Sequence, residues 1–432
     1  MKRQLRAVSI LLAFIVFAEA FANAQVVRVK MDGPITPITE EYLSRVLQKA
    51  QERHADAIVI ELSTPGGLVD STRGIVGQIL ASPIPIIAYV TPTGAHAASA
   101  GFFILEAADV AAMSPGTNTG ASSPVTIGKM DDTMRSKVEN DLAAFLRSYV
   151  SKRDRNADLA ETAVRKAISW GDEDALKLKL IDVVSPNETE LLHTLEGRTV
   201  TRFNGTKVVL HVANKPIEEY PMTLRQRILA WLLDPNVAFI LLAVGALALY
   251  AEFNHPGAVI PGVVGVIFIL LAAFALNLLP TRFAALALIL LAFALFALEA
   301  KFATHGVLSV GGIVSLTIGA LLLVDGPIPE LRVSPWIALA VSVPLGLITT
   351  FLMSIALKAR RNKVSTGKEG LVGEIGLTQT ELLPRGKVFV HGELWDACAD
   401  SPVAIGSFVR VRKVNGLELE VEPAPQSVTH AK

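Results

Sequence analysis

Residues 235–358 constrain the chain more than any other stretch, because they are apolar almost without interruption. Hydrophobic residues make up 51% of the 432 residues, and mean hydropathy is +0.46. That is too apolar for a soluble protein, and the excess is concentrated here. Five spans are expected, at roughly 237–253, 257–278, 282–299, 306–324 and 334–357, each close to the ~20 apolar residues a bilayer needs. Two open alike: His255-Pro256-Gly257 with Pro261-Gly262, and His305-Gly306 with Gly311-Gly312. Each follows a glutamate, Glu252 or Glu299, which points to a weak duplication. The glycines suit close helix packing. For His255 and His305, packing and interfacial hydrogen bonding are expected ahead of metal or proton handling.

Everything else is arranged around this block. Residues 1–24 read as a secretory signal: Lys2, Arg3 and Arg6, an apolar Ala7–Phe17, and Ala22-Asn23-Ala24 as a cleavage pattern. The alternative is an uncleaved anchor, and either way the next segment is expected outside the cytoplasm. Lys358, Arg360, Arg361 and Lys363 place the end of the last span in the cytoplasm. An odd number of spans satisfies both. Formal net charge is +0, so no nucleic-acid partner is implied. The single cysteine, Cys398, rules out a disulfide framework and a cysteine-based zinc cluster.

Between the signal and the spans, strand and helix patterns alternate as in stacked βαβ units. Val26–Val29, Ala57–Leu62 and Ile84–Val90 read as strands, and Thr39 as the N-cap of a helix running to about Arg53. Pro65-Gly66-Gly67 follows the second strand and precedes a helix. Ala97-Ala98-Ser99-Ala100-Gly101 follows the third and runs into the helix-like Phe102–Ala108. A serine at such a corner is sterically open, and the N–H groups beside it would face an oxyanion. The glycines at 66 and 67 leave further backbone N–H groups free. A serine hydroxyl also needs a base. His96 is too close in sequence to reach back, and no histidine occurs from 97 to 192, so lysine remains. By residue type alone Lys129, Lys137 and Lys152 all compete. Thr133–Arg153 reads as a helix after a polar loop at 121–132. Thr199–Phe203 and Lys207–Val212 suggest a hairpin around Asn204-Gly205, and Pro216–Arg227 a linker or interfacial helix. After residue 365, five short strands suit a small OB-like barrel: 371–376, 386–390, 393–397, 408–411 and 417–421. The barrel has few aromatics and no basic stripe, which favours protein contact.

The order PGG, AASAG, Met113-Ser114-Pro115-Gly116-Thr117-Asn118-Thr119-Gly120-Ala121-Ser122-Ser123-Pro124 and a lysine-bearing helix resembles the ClpP/crotonase-type serine proteases. With the spans and barrel it resembles the long-form NfeD membrane-bound proteases over nearly the whole chain. The resemblance implies a signal at 1–24, a ClpP-like α/β domain at 25–200, a linker at 201–234, an all-α membrane bundle at 235–358 and an OB-fold domain at 365–423. It implies a Ser-Lys dyad of Ser99 and Lys137, with Gly66, Gly67 and Ala100 forming the oxyanion and substrate-binding backbone. The implied activity is ATP-independent cleavage of apolar segments in stomatin-, prohibitin- or flotillin-like membrane proteins. No metal or cofactor is expected. A dimer or larger homo-oligomer is expected, multi-pass in the plasma membrane, with the protease domain extracytoplasmic and the barrel cytoplasmic. The alternative is a non-catalytic scaffold that assembles such partners through the barrel. An acyl-CoA enzyme is disfavoured, because an exported domain does not meet coenzyme A.

Overall fold

The computed structural model describes residues 25–124, 131–254, 257, 259–302, 304, 306–361 and 368–424. The expected signal, Lys129, His255 and His305 lie outside the described residues. The chain forms two compact units, Met1–Leu347 and Ile348–Lys432.

The strands of the first unit are β1 (Val26–Asp32), β2 (Ala57–Ser63), β3 (Ile86–Val90), β4 (His96–Ala98), β5 (Val110–Met113), β6 (Asn118–Gly120), β7 (Ser169–Gly171), β8 (Val183–Val184), β9 (Thr199–Thr201), β10 (Lys207–Val209) and β11 (Ile217–Glu219). Six form one sheet in the order β11-β1-β2-β3-β5-β8, every neighbouring pair parallel. Such a sheet is covered on both faces, which is why β3 reads as a continuous apolar run. Ile58, Ile60 and Leu62 face one core with the helices Pro37–Glu52, Val69–Ala81 and Ala100–Ala107. Ala57, Val59, Ile87 and Tyr89 face a second core with Leu191, Leu192 and Leu195. A small second sheet, β4-β6-β7, joins the first where Thr64 bridges Ala97.

The first helix starts at Pro37, earlier than expected. Thr36 is its N-cap, and Thr39 sits at the third helical position, completing a capping box. β9 and β10 pair as the expected hairpin, with Gly205 at φ +85 in its turn. Residues 201–234 are more than a tether. β11 completes the sheet edge against β1, and Leu224–Leu232 is a helix with Thr223 and Gln226 as its capping box.

Five apolar helices follow: Pro235–Asn254, Ile260–Leu278, Phe283–Phe302, Val307–Leu322 and Pro335–Arg361. Among the described residues, three segments are long and apolar enough to cross a membrane: Pro235–Phe253, Ile260–Leu278 and Pro329–Thr349. Phe283–Glu299 and Val307–Leu322 are shorter. The first four helices form two alike hairpins. The Glu252 carboxylate accepts from the N–H of Gly257 (3.3 Å) and Val259 (3.1 Å). Glu299 accepts from Gly306 (3.0 Å), Leu308 (3.0 Å) and Ser309 (3.2 Å), and from the Thr304 hydroxyl (2.7 Å). Each carboxylate thus caps the helix after it. The offset from Glu252 to Glu299 also carries Ala238 onto Ala285, Gly245 onto Ala292, Gly265 onto Gly312 and Ala272 onto Gly319. These residues lie where the helices touch: a Cβ on Gly265 would sit 2.8 Å from the Gly245 carbonyl, and one on Gly319 3.1 Å from the Ala285 carbonyl. Duplication is thus written in the packing as well as in the sequence.

The second unit carries β12 (Ile375–Thr378), β13 (Arg385–Val390), β14 (Glu393–Ala399), β15 (Phe408–Asn415) and β16 (Glu418–Pro423), closed in the order β12-β13-β14-β16-β15. The first strand starts later than expected, because Gly373 turns at φ +91 after the helical turn Lys368–Leu371. Val388, Val390, Ala397, Val409, Val411 and Leu419 fill the interior. Leu394 lies opposite Phe389, Phe389 opposite Leu377, and Leu377 opposite Phe408. That is a row across four strands with both phenylalanines and Leu394 exposed. The fold class expected from the sequence is therefore present: stacked βαβ units, an apolar helical region and a small all-β barrel.

Candidate active site

The PGG and AASAG segments are laced into one ladder. Thr64 N–H donates to the His96 carbonyl (2.8 Å), and Ala98 N–H to the Thr64 carbonyl (3.1 Å). The buried Thr64 hydroxyl accepts from Gly66 N–H (3.1 Å), which fixes the turn. On the other side, Ile35 N–H donates to the Gly66 carbonyl (2.8 Å) and Leu68 N–H to the Ile35 carbonyl (2.9 Å). In this parallel bridge Gly67 N–H is skipped. A Cβ at Gly67 would strike the Ile35 backbone.

Ser99 is the N-cap of the helix Ala100–Ala107, at φ +52 and ψ −113. That conformation is costly for a residue with a Cβ, and it persists because the surroundings hold it. Ser99 N–H donates to the Gly120 carbonyl (2.9 Å), and the Ser99 carbonyl accepts from Phe102 N–H (3.1 Å) and the Ser122 hydroxyl (3.3 Å). The Ser99 side chain itself makes no hydrogen bond among the described residues, and the residue is half-buried. Gly66, at φ +124, packs directly on it. A Cβ there would lie 2.7 Å from Ser99 Cβ, 3.1 Å from Ser99 Oγ and 3.6 Å from Ala100 N. Among the described residues neither Gly67 N–H nor Ala100 N–H has an acceptor. The structure thus brings Ser99, Gly66, Gly67 and Ala100 together: an accessible hydroxyl at a helix N-terminus, beside two uncommitted backbone donors. Such an arrangement suits negative charge forming on an oxygen next to the serine.

Lys137 stands on a separate helix. It lies on the exposed face of the helix Asp132–Val150, near the Arg135–Glu139 ion pair, and makes no hydrogen bond to Ser99. Lys152 is committed elsewhere, its Nζ 4.3 Å from the Phe203 ring centroid.

Sequence reasoning missed the residues that hold the serine helix from behind. Arg153 donates to the Ala107 carbonyl (2.9 Å) and to Asp109 (2.5 Å). Arg155 donates to the carbonyls of Glu106 (2.8 Å) and Ala108 (3.0 Å) and to Asp182 (2.7 Å). Both guanidiniums satisfy carbonyls at the helix C-terminus. Burial pushes Asp182 up, but Arg155 and the Ala111 N–H outweigh it and hold its carboxyl below the usual range. Glu106 has no such support. It is fully buried, its oxygens make no hydrogen bond, and Arg155 stands 3.7 Å away. Burial pushes it up to about 8, against the opposing pull of Arg155. Among the described residues, no group of three or more His, Cys, Asp or Glu side chains is placed to hold a metal ion.

Comparison with known proteins agrees over the length of the chain. The family model for the NfeD1b N-terminal domain matches residues 25–200, that for the NfeD integral membrane domain residues 236–355, and that for the NfeD-like C-terminal, partner-binding domain residues 368–423. The chain is 34% identical over 407 residues to the membrane-bound protease PH1510 of Pyrococcus horikoshii, covering 91% of this chain and 92% of that protein. It is 29% identical over 399 residues to the membrane protein NfeD1b of Bacillus subtilis, covering 88% of each. Among solved structures, the 1510-N membrane protease specific for a stomatin homolog from Pyrococcus horikoshii is 33% identical, covering 49% of this chain and 99% of that one, with a TM-score of 0.43. The chain belongs to the NfeD family of membrane proteins.

Proposed function

We propose that this protein is a membrane-anchored serine endopeptidase in which Ser99 is the nucleophile and Lys137 the general base. The observation that carries the reading is Ser99 itself, held at φ +52 on a helix N-terminus beside the free N–H groups of Gly67 and Ala100. Oγ attacks the peptide carbonyl as its proton passes to Lys137 Nζ. The C=O electron pair moves onto oxygen, where Gly67 and Ala100 N–H receive it. Collapse breaks the C–N bond, and Lys137 returns its proton to the departing amine. Water then repeats the sequence on the acyl-serine and frees the acid. The relatedness to PH1510 supports a protease role. The substrates on this reading are apolar segments of stomatin-like membrane proteins, which the C-terminal domain also engages as partners.

A lysine gives up its proton in dehydrated surroundings, and Lys137 is exposed. The reading therefore requires the bound apolar segment to cover that amine. The same exposure is what favours the second reading, a non-catalytic scaffold. Full-length protein in detergent, treated with a fluorophosphonate and with an apolar stomatin-like tail peptide, separates the two. Wild type should label at Ser99 and cleave, and Ser99→Ala should do neither. Lys137→Ala should lose both activities while remaining folded. A folded wild type that neither labels nor cleaves at any pH would leave the scaffold as the better account.

A further inference from the structure

The helix Leu224–Leu232 links the βαβ domain to the apolar helices, and its faces are committed unequally. Toward the domain, Arg225 pairs with Glu41 (3.1 Å), and the buried Gln226 donates to the same carboxylate (3.3 Å). Just upstream, Tyr42 donates to the Tyr220 carbonyl (2.5 Å) and Arg45 to that of Pro221 (2.6 Å). Toward the apolar helices, Leu232 packs with Leu241 and Ala272, and Leu229 lies against them. The remaining face carries Leu224 (66% exposed), Ile228 (49%) and Trp231 (59%). Their spacing of four and three places them on one stripe. Arg225 and Arg227 flank it on either side, both exposed.

We propose that this stripe inserts into the interfacial layer of the bilayer, with Arg227 among anionic lipid headgroups and Arg225 at its border, held to Glu41. The occupant follows from continuity. Leu233 and Asp234 alone separate the helix from Pro235, where a membrane-length apolar segment begins. Three Cα–Cα steps of ~3.8 Å reach at most about 11 Å, and Leu232 packs against Leu241 and Ala272 of the apolar helices, so the Trp231 end of the stripe stays close to the level at which the hydrocarbon starts. An apolar face with a tryptophan, bordered by arginines, is the composition that lies in that layer. The helix thereby acts as a float. It takes its depth from the lipid and passes it to the βαβ domain through Glu41, Tyr42 and Arg45.

The test uses the full chain in phosphatidylcholine vesicles with and without phosphatidylglycerol. Cys398 is the only cysteine, so a Cys398→Ser background accepts an environment-sensitive fluorophore at Leu224→Cys or Ile228→Cys. Ile240→Cys on the first apolar helix and the exposed Lys207→Cys serve as membrane and water references. Positions 224 and 228 should show blue-shifted emission and be quenched by a shallow nitroxide lipid as strongly as position 240, with little quenching by aqueous iodide. Position 207 should show the reverse. Arg227→Glu should weaken the lipid quenching at 228 more in phosphatidylglycerol vesicles than without it. Emission at 224 and 228 matching that at 207 would overturn the proposal. So would shielding from iodide without nitroxide quenching, which would mean that protein, such as a second copy, covers the stripe.

Discussion

The buried carboxyl of Glu106 yields a prediction with a definite size and direction. Its ordinary value is 4.5, and burial raises it to about 8 in the fold. The groups facing it are Arg155, Asp182 and Tyr149. Arg155 is already occupied by Asp182 and backbone carbonyls, so it does little for a second charge. The folded state therefore holds this proton where the unfolded state has released it. Stability from the group is full below 4.5 and falls as pH rises toward 8. Applied to these two values, linkage gives a loss of about 3 kcal/mol between pH 5 and pH 7.5, at roughly 1.4 kcal/mol per unit. Glu106→Gln keeps the shape and cannot ionise, so it escapes that loss. Thermal unfolding in detergent, followed by fluorescence, should show the variant close to wild type at pH 5. It should melt higher by roughly 6–12 °C at pH 7.5, at ~2–4 °C per kcal/mol for a domain of this size. Parallel curves for the two proteins from pH 5 to pH 8 would refute the reasoning. Glu106 would then be ionised in the fold and stabilised by Arg155.

Gly66→Ala places a Cβ 2.7 Å from that of Ser99 at φ +124, at a cost of ~1–3 kcal/mol from the backbone alone. Fluorophosphonate labelling of Ser99 should fall at least tenfold while the unfolding of the apolar helices is unchanged; an unaltered labelling rate would contradict the packing. Gly265→Leu should destabilise the first apolar hairpin, because its Cβ meets the Gly245 carbonyl at 2.8 Å. Gly311→Leu should do so far less, since its nearest neighbour is Leu295 at 3.5 Å; detergent melting curves of the two variants give the comparison. Phe389→Glu, in the exposed row on the barrel, should weaken co-purification of a stomatin-like protein without lowering the barrel's own melting temperature, and unchanged recovery would move partner binding to another face.

Local chemistry made much of this legible in the sequence. The strand-to-helix corner at Ser99 is announced by small residues between an apolar run and a helical pattern, and the structure has a turn of that kind there. The hairpin at Asn204-Gly205 follows from turn preference. The Glu252 and Glu299 repeats are visible as spacing, whereas their capping of the following helices depends on the turn between each helix pair. What stayed hidden depends on residues far apart in the chain. Gly120 and Ser122 grip the Ser99 backbone, and Ile35 engages the Gly66 turn, with no local signal for either. Nothing local marks Arg153 and Arg155, yet tertiary packing buries both on the carbonyls of the serine helix. Thr39 has the side chain of an N-cap, but proline is favoured in the first turn, so the helix opens at Pro37 with Thr36 as its cap.

The pairing of β1 with β11 has a consequence for how the molecule is made. Among the strands of this sheet β1 is made first, and its outer neighbour Ile217–Glu219 is made last. Until that segment emerges, β1 presents a bare row of backbone donors and acceptors, the kind of edge that recruits other strands. The next residues to follow are the helix Leu224–Leu232 and then the first apolar helix. Closure of the sheet is thus timed to the arrival of the anchor. A fragment cut before Ile217 would keep every residue around Ser99 and still aggregate through its oldest strand.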